Sequence, residues 1–185
     1  MVQTKADHQG VKKRKYRTLM YLHFFMVQTK ADHQGVKKRK YSIKIKPNIM
    51  ITKKSITQLS YEITGYAIKV HKTLGPGLLE SIYEKCLRYE LEKNGYKVVQ
   101  QMTVPVIYDT LEMDVDLRLD LLVNNLIVVE LKAIEKLLPV HEAQILTYMK
   151  LLQKPQGLLI NFFTDNITKA MKPFVNEFFR VLPDE

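Results

Sequence analysis

Three charged residues combine type and spacing in a way that suggests chemistry: Asp120, and then, after nine intervening residues, Glu130 and Lys132 flanking Leu131. Glu130-Leu131-Lys132 ends an apolar run with strand character, so the carboxylate and the ammonium share one face while Leu131 takes the other. Asp120 ends a run in which Asp114, Asp116, Arg118 and Asp120 alternate with Val115, Leu117, Leu119 and Leu121, and period two means a strand. How the two strands pair decides whether the acids meet. A two-residue loop at 124–125 sets the charged face of one strand against the apolar face of the other. A three-residue loop at 124–126 pairs Asp120 with Glu130 and Arg118 with Lys132, and gathers Leu117, Leu119, Leu121, Val123, Ile127, Val129 and Leu131 on the opposite face. A one-residue slip would invert every side chain, so the hydrophobic pattern selects the three-residue loop.

Two carboxylates at that spacing repel, and without compensation one of them has its pKa raised. A divalent cation removes the conflict. Mg²⁺ prefers oxygen ligands and keeps several waters, which leaves positions for a phosphate oxygen and an attacking water, and Mn²⁺ can substitute for it. Lys132 on the same face can orient or help deprotonate that water and offset charge developing on phosphate. The chemistry expected is metal-assisted phosphodiester hydrolysis.

The elements that must position these residues are legible in outline. Ile63, Ala67 and Val70 recur at helical spacing over residues 59–74, and Gly75-Pro76-Gly77 breaks that helix and serves as a hinge. A second helix is expected over 78–94, with Ile82, Cys86, Leu87 and Leu91 on its buried side and Gly95 as its C-terminal cap. Residues 96–101 and 103–108 read as strands, Asp109-Thr110 as a turn, and 114–122 and 127–132 as the strand pair above. Pro139 suits the first position of a helix reaching about residue 152. Residues 157–162 read as a short buried strand, and 167–181 as partly helical, interrupted at Pro173.

The 185 residues suffice for one ordinary domain, assigned to 55–185. The formal charge of +10 divides unequally: residues 1–49 carry 13 basic and 2 acidic side chains, residues 50–185 carry 16 and 17. Bulk basicity therefore argues for nucleic-acid binding only in the first segment. That segment contains MVQTKADHQGVKKRKY twice without a difference, at an offset of 25. Such identity points to a recent duplication or to a start placed too far upstream, with Met50 as an alternative, and the segment is expected to be a disordered basic tail. The single cysteine, Cys86, excludes an intramolecular disulfide and suits a reducing, cytoplasmic compartment. The most apolar run of the first segment, residues 19–27, is nine residues long, too few to span a bilayer. There is no glycine-rich phosphate loop followed by Lys-Ser or Lys-Thr, and His71 and His141 lack the partners of a zinc site.

The order Asp120, nine residues, Glu130-x-Lys132 resembles the PD-(D/E)xK nuclease superfamily, and the flanking residues resemble its small GxxExxY branch. Gly77-Leu78-Leu79-Glu80-Ser81-Ile82-Tyr83 matches the motif that names the branch, preceded by Val70-His71-Lys72 and Leu74-Gly75-Pro76. His141-Glu142-Ala143-Gln144 with Tyr148 looks like its helix motif, and Gly157-Leu158-Leu159-Ile160-Asn161-Phe162 like its last strand. The resemblance covers roughly residues 58–163. It implies an α/β fold with a restriction-endonuclease-like αβββαβ core, a mixed sheet flanked by helices. It further implies a metal held by Asp120, Glu130 and the helical acid Glu80, with Lys132 beside the water, Gln144 in support, and Tyr83 and Tyr148 as accessory residues. The substrate so implied is nucleic acid, with DNA the first choice. The rival expectation keeps this fold for a nucleic-acid- or protein-binding module without turnover, and a protein partner or a second copy is a third way to complete the site.

Overall fold

A computed structural model describes residues 50–113 and 115–185. The duplicated basic segment, the alternative start's upstream residues and Asp114 lie outside the described residues.

Helix α1 (Lys53–Leu74) begins ahead of the expected residue 59, because Thr52 and Ser55 form a reciprocal cap: Ser55 N donates to Thr52 Oγ1 at 3.1 Å and Thr52 N donates to Ser55 Oγ at 3.0 Å. Ile56, Leu59, Ile63, Ala67 and Val70 form its buried stripe. It stops where expected, with Gly75 at φ +69° donating its N–H to His71 O at 2.8 Å. Helix α2 (Glu80–Lys93) buries Tyr83, Glu84, Leu87 and Leu91. Leu87 and Leu91 are buried as expected, but the first inward position is taken by the fully buried Tyr83 and not by Ile82, which is exposed. The tyrosine wins the inward position because its ring stacks on Phe162 at 4.4 Å while its hydroxyl remains hydrogen-bonded, donating to Gly75 O at 2.6 Å and accepting from Leu78 N at 3.1 Å.

The main sheet has five strands in the order β1-β4-β5-β6-β7. β1 (Val98–Thr103), β4 (Arg118–Val123) and β5 (Ile127–Lys132) are antiparallel neighbours, β5 and β6 (Gln156–Asn161) are parallel, and β7 (Met171–Val175) closes the edge antiparallel to β6. A parallel pair needs a long crossover, supplied by helix α3 (Pro139–Leu151) with its proline in the first turn. β2 (Val106–Tyr108) and β3 (Leu111–Met113) form a separate hairpin turning at Asp109, whose φ is +55°. The strand expected over 114–122 is therefore shorter, beginning only at Arg118. The expected partly helical ending is also corrected. Residues Ile167–Lys169 make a 3-10 turn, β7 follows, and only Glu177–Arg180 (α4) is helical. Pro173 sits in β7 without harm because an edge strand has one side free of ladder bonds.

The two faces of the sheet carry separate apolar layers. Helices α1 and α2 cover Leu121, Val123, Ile127, Val129, Leu131, Leu158 and Ile160, while α3 covers Leu119, Leu122, Val128 and Leu159 through Ile145, Tyr148 and Met149. β4 and β5 pair Leu121 with Val129, Leu122 with Val128 and Val123 with Ile127, which is the register of the three-residue loop. Two details differ from the sequence reading. Leu117 and Leu119 pack with the α3 layer, and the ladder stops at Leu121–Val129, so Arg118 does not pair with Lys132. Arg118 pairs instead with Thr103 of β1, and its Nε meets Asp116 at 2.6 Å. No helix among the described residues is long and apolar enough to cross a membrane.

The contact between α3 and β6 depends on Gly157. A Cβ there would lie 2.6 Å from Met149 Sδ and 2.9 Å from two carbons of Ile145. Gly157→Ala is expected to destabilise the protein by about 1–3 kcal/mol, the usual cost of overpacking. Denaturant unfolding measures this, and an unchanged midpoint would refute the close packing.

Candidate active site

The site lies where β4 and β5 stop pairing. Asp120 and Glu130 come from these adjacent strands, and they are 8% and 1% exposed. At this level a side chain replaces the ladder: Leu131 N donates to Asp120 Oδ2 at 2.7 Å. Lys132 Nζ donates to Glu130 Oε1 at 2.9 Å and lies 3.7 Å from Oε1 of Glu80, the first residue of α2. A carboxylate in the first turn of a helix is also favoured by the helix dipole. Asp120, Glu130, Lys132 and Glu80 are thus brought together as the sequence suggested.

Burial and the surrounding charges shift the titrations of Asp120, Glu130 and Lys132. Burial raises Asp120 to about 6, opposed by the Leu131 N–H and the Lys132 charge and reinforced by Glu80 and Glu84. Burial raises Glu130 to about 7, with the Asp120 charge adding to the rise and Lys132 opposing it. Burial works against the Lys132 ammonium, but Glu130, Glu80 and Asp120 outweigh it and hold the lysine above its ordinary value. One ammonium does not balance this much buried acid.

The donor set suits a divalent cation. Glu130 Oε2 is buried and has no hydrogen-bond partner, whereas buried polar oxygens are ordinarily satisfied. Among the described residues, no group of three His, Cys, Asp or Glu side chains is gathered closely enough to hold a metal ion by itself. Of the expected trio, Asp120 and Glu130 form a buried pair, while Glu80 lies beside the Lys132 ammonium. A pair is sufficient for Mg²⁺, which is commonly bound through one or two carboxylates and keeps its waters.

The remaining expected residues divide. Gln144 and Tyr148 form the pair anticipated on α3, with Gln144 Nε2 donating to Tyr148 Oη at 2.9 Å and Tyr148 Oη donating to Arg118 O at 3.1 Å. Burial raises the Tyr148 phenol; Gln144 opposes the rise, and the charges of Glu130 and Asp120 add to it, which places the ring in the field of the acid pair. Gln144 reaches the site only through this tyrosine. Tyr83 does not join the site, its hydroxyl being committed to the loop before α2. His71 donates from Nε2 to Thr164 O at 2.7 Å and His141 Nδ1 accepts from Leu138 N at 3.1 Å, so neither ring is directed at the acid pair by these bonds.

Two residues escaped the sequence reading. Glu84 is only 5% exposed, and both its oxygens accept from Gln101 Nε2, at 2.9 and 3.0 Å. The same amide lies 3.4 Å from Asp120 Oδ1. Glu84 follows Glu80 by one helical turn, a spacing that could have flagged it. Gln101 had no local signal. Its φ of +50° in the middle of β1 is rare for a non-glycine residue and is imposed by its tertiary surroundings.

Because both folded carboxyls titrate above their ordinary range, at about 6 and about 7, the folded chain holds more protons than the unfolded chain between that range and those values. Their contribution to stability therefore falls as pH rises through this window. In chelator, Glu130→Gln is expected to gain melting temperature relative to wild type as pH is raised from about 5 to about 8. A difference that is flat, or that shrinks, would contradict the buried acid pair.

No curated protein and no solved structure matches the chain. The family model of the PD-(D/E)XK nuclease superfamily matches residues 57–174. That span takes in α2 with Glu80, the strand pair with Asp120, Glu130 and Lys132, and α3 with Gln144 and Tyr148. The mixed five-stranded sheet flanked by helices accords with the restriction-endonuclease-like fold of this superfamily, whose nucleases generally use divalent metals. The chain belongs to the PD-(D/E)XK nuclease superfamily.

Proposed function

We propose that this chain is a Mg²⁺-dependent nuclease of the GxxExxY branch, hydrolysing phosphodiester bonds in DNA. The observation that carries the reading is the buried Asp120–Glu130 pair with one unsatisfied carboxylate oxygen beside Lys132. Asp120 and Glu130 would hold the cation, and Glu80 is the further acid within reach of the cluster. When bound, the ion would polarise a phosphate oxygen and lower the pKa of a coordinated water. Lys132, shared between two carboxylates, holds a proton and a positive charge where an attacking water and the phosphate must be oriented. Tyr148, fixed by Gln144 and by the Arg118 carbonyl, limits solvent on the α3 side of the acids.

With Mg²⁺ or Mn²⁺ the purified protein should cut DNA, and Lys132→Ala should lower the rate by about a hundredfold or more, the scale of losing a charge-stabilising donor, while leaving the circular dichroism spectrum intact. Equal behaviour of wild type and variant on single-stranded, duplex and structured DNA and RNA would remove catalysis from this site.

The near-balance of 16 basic and 17 acidic residues over 50–185 favours one rival, a binding module without turnover on the same fold. Calorimetric titration with Mg²⁺ separates the two. A nuclease should take up the ion, and Asp120→Asn should abolish that uptake, whereas a non-catalytic module would show no uptake dependent on the pair.

A further inference from the structure

We propose that the open groove beginning at the residue after Lys132 receives the face of an unpaired nucleobase, which makes single-stranded nucleic acid the substrate class of the site. The inference rests on the nuclease reading for the kind of ligand, but it is tested by binding alone.

The groove has a volume of about 660 Å³ and is lined by Ile134, Lys136, Leu138, His141 and Phe163, with Glu135 also on its wall. Phe163 and Leu138 are 43% and 49% exposed, so an aromatic and an aliphatic surface face outward beside a site otherwise made of charges. One side chain builds both walls. Asn161, 5% exposed at the end of β6, accepts from Ile134 N at 3.1 Å and from Phe163 N at 3.3 Å, and donates to Ile134 O at 2.6 Å. The loop after Lys132 and the segment after β6 are therefore held in a fixed relation, and the groove is preformed. His141 Nδ1 is occupied as an acceptor from Leu138 N, which leaves Nε2 as the donor of a neutral ring. Lys136 and His141 can meet a phosphate or a base edge.

The balance of charge selects the ligand. With 16 basic and 17 acidic residues over 50–185, the domain has no net positive charge to draw it onto a duplex. Base–aromatic stacking is a further source of affinity for single strands, and it acts together with phosphate contacts of the kind Lys136 can make. It also requires an accessible base face, which a duplex keeps inside its own stack. A groove that begins at Ala133, next to Lys132 in the chain, thus fits a strand whose base lies on Phe163.

The test uses the full chain in chelator, so that nothing is cut, at a salt concentration that suppresses phosphate-only binding by residues 1–49. A single strand containing 2-aminopurine should bind with a change in the fluorescence of that base. Phe163→Ala should weaken binding about tenfold or more, the effect of removing one stacking aromatic, and Phe163→Tyr should retain it. The melting temperature of each variant checks that the fold persists. The same label inside a duplex should respond far less. The inference is overturned if Phe163→Ala binds the strand as wild type does, or if duplex and single strand titrate alike. Strand binding that depends on Phe163 without cleavage in Mg²⁺ or Mn²⁺ would sink the nuclease reading and leave the groove assignment standing. Lys132-dependent cleavage with no effect of Phe163→Ala on strand affinity would do the reverse.

Discussion

The hydrogen bond from the Leu131 amide to the Asp120 carboxylate joins the core of this fold to its chemistry. Up to Leu121 and Val129, β4 and β5 exchange backbone hydrogen bonds, and their side chains supply apolar layers to both faces of the sheet. One residue further, a backbone donor is satisfied by a side chain. A buried amide left without an acceptor costs on the order of 1–3 kcal/mol, so Asp120 completes the strand pair at the point where the backbone ladder ends. The same carboxylate is one half of the acid pair. Register, packing and site are for this reason a single constraint: a slip of one residue would misplace the apolar layers and separate Asp120 from Glu130 together.

Burying two carboxylates beside each other sets the next requirement. Lys132 compensates Glu130 and Glu80, and the Gln101 amide plays a weaker neutral part between Glu84 and Asp120. Both donors are held in place, the lysine by two acids and the glutamine by a backbone conformation that an unconstrained chain would avoid. The compensation is incomplete. The raised values of Asp120 and Glu130 and the solitary Glu130 oxygen all express a centre with more acid than protein cation. Such a centre stores unfavourable charge that a bound divalent ion relieves.

The parts of this arrangement that could be read from sequence are those set by repeating patterns. The three-residue loop followed from matching the apolar faces of two strands, and the bond from Leu131 to Asp120 is a consequence of that register. On the buried side of α2, Leu87 and Leu91 were legible, but a count of aliphatic residues favours Ile82, while the inward place went to Tyr83, whose ring has Phe162 to stack on and whose hydroxyl has two backbone partners. Both partners depend on a loop that no periodicity describes. β7 was misread because Pro173 argues against a central strand, and nothing local says that residues 171–175 lie at an edge. Gln101 was beyond reach for a related reason, since its conformation and its contacts come from α2 and β4, distant in sequence.

Tyr83 also gives the spacing from Gly77 to Glu80 a physical sense, although its hydroxyl never meets the acids. Gly77 has φ +100°, a conformation that side chains oppose, and it turns the chain out of α1 toward α2. The Tyr83 hydroxyl then ties Gly75 O and Leu78 N on either side of that turn, while its ring is anchored against Phe162 under the sheet. With the turn fixed from both ends, the first residue of α2 has little freedom, and that residue is Glu80, directed to Lys132. Phe162 is in turn adjacent to Phe163, the aromatic wall of the groove, and its own N–H donates to Lys132 O at 2.7 Å. One buried aromatic stack therefore braces three things at once: the helical acid, the backbone of the lysine, and the edge of the groove beside them.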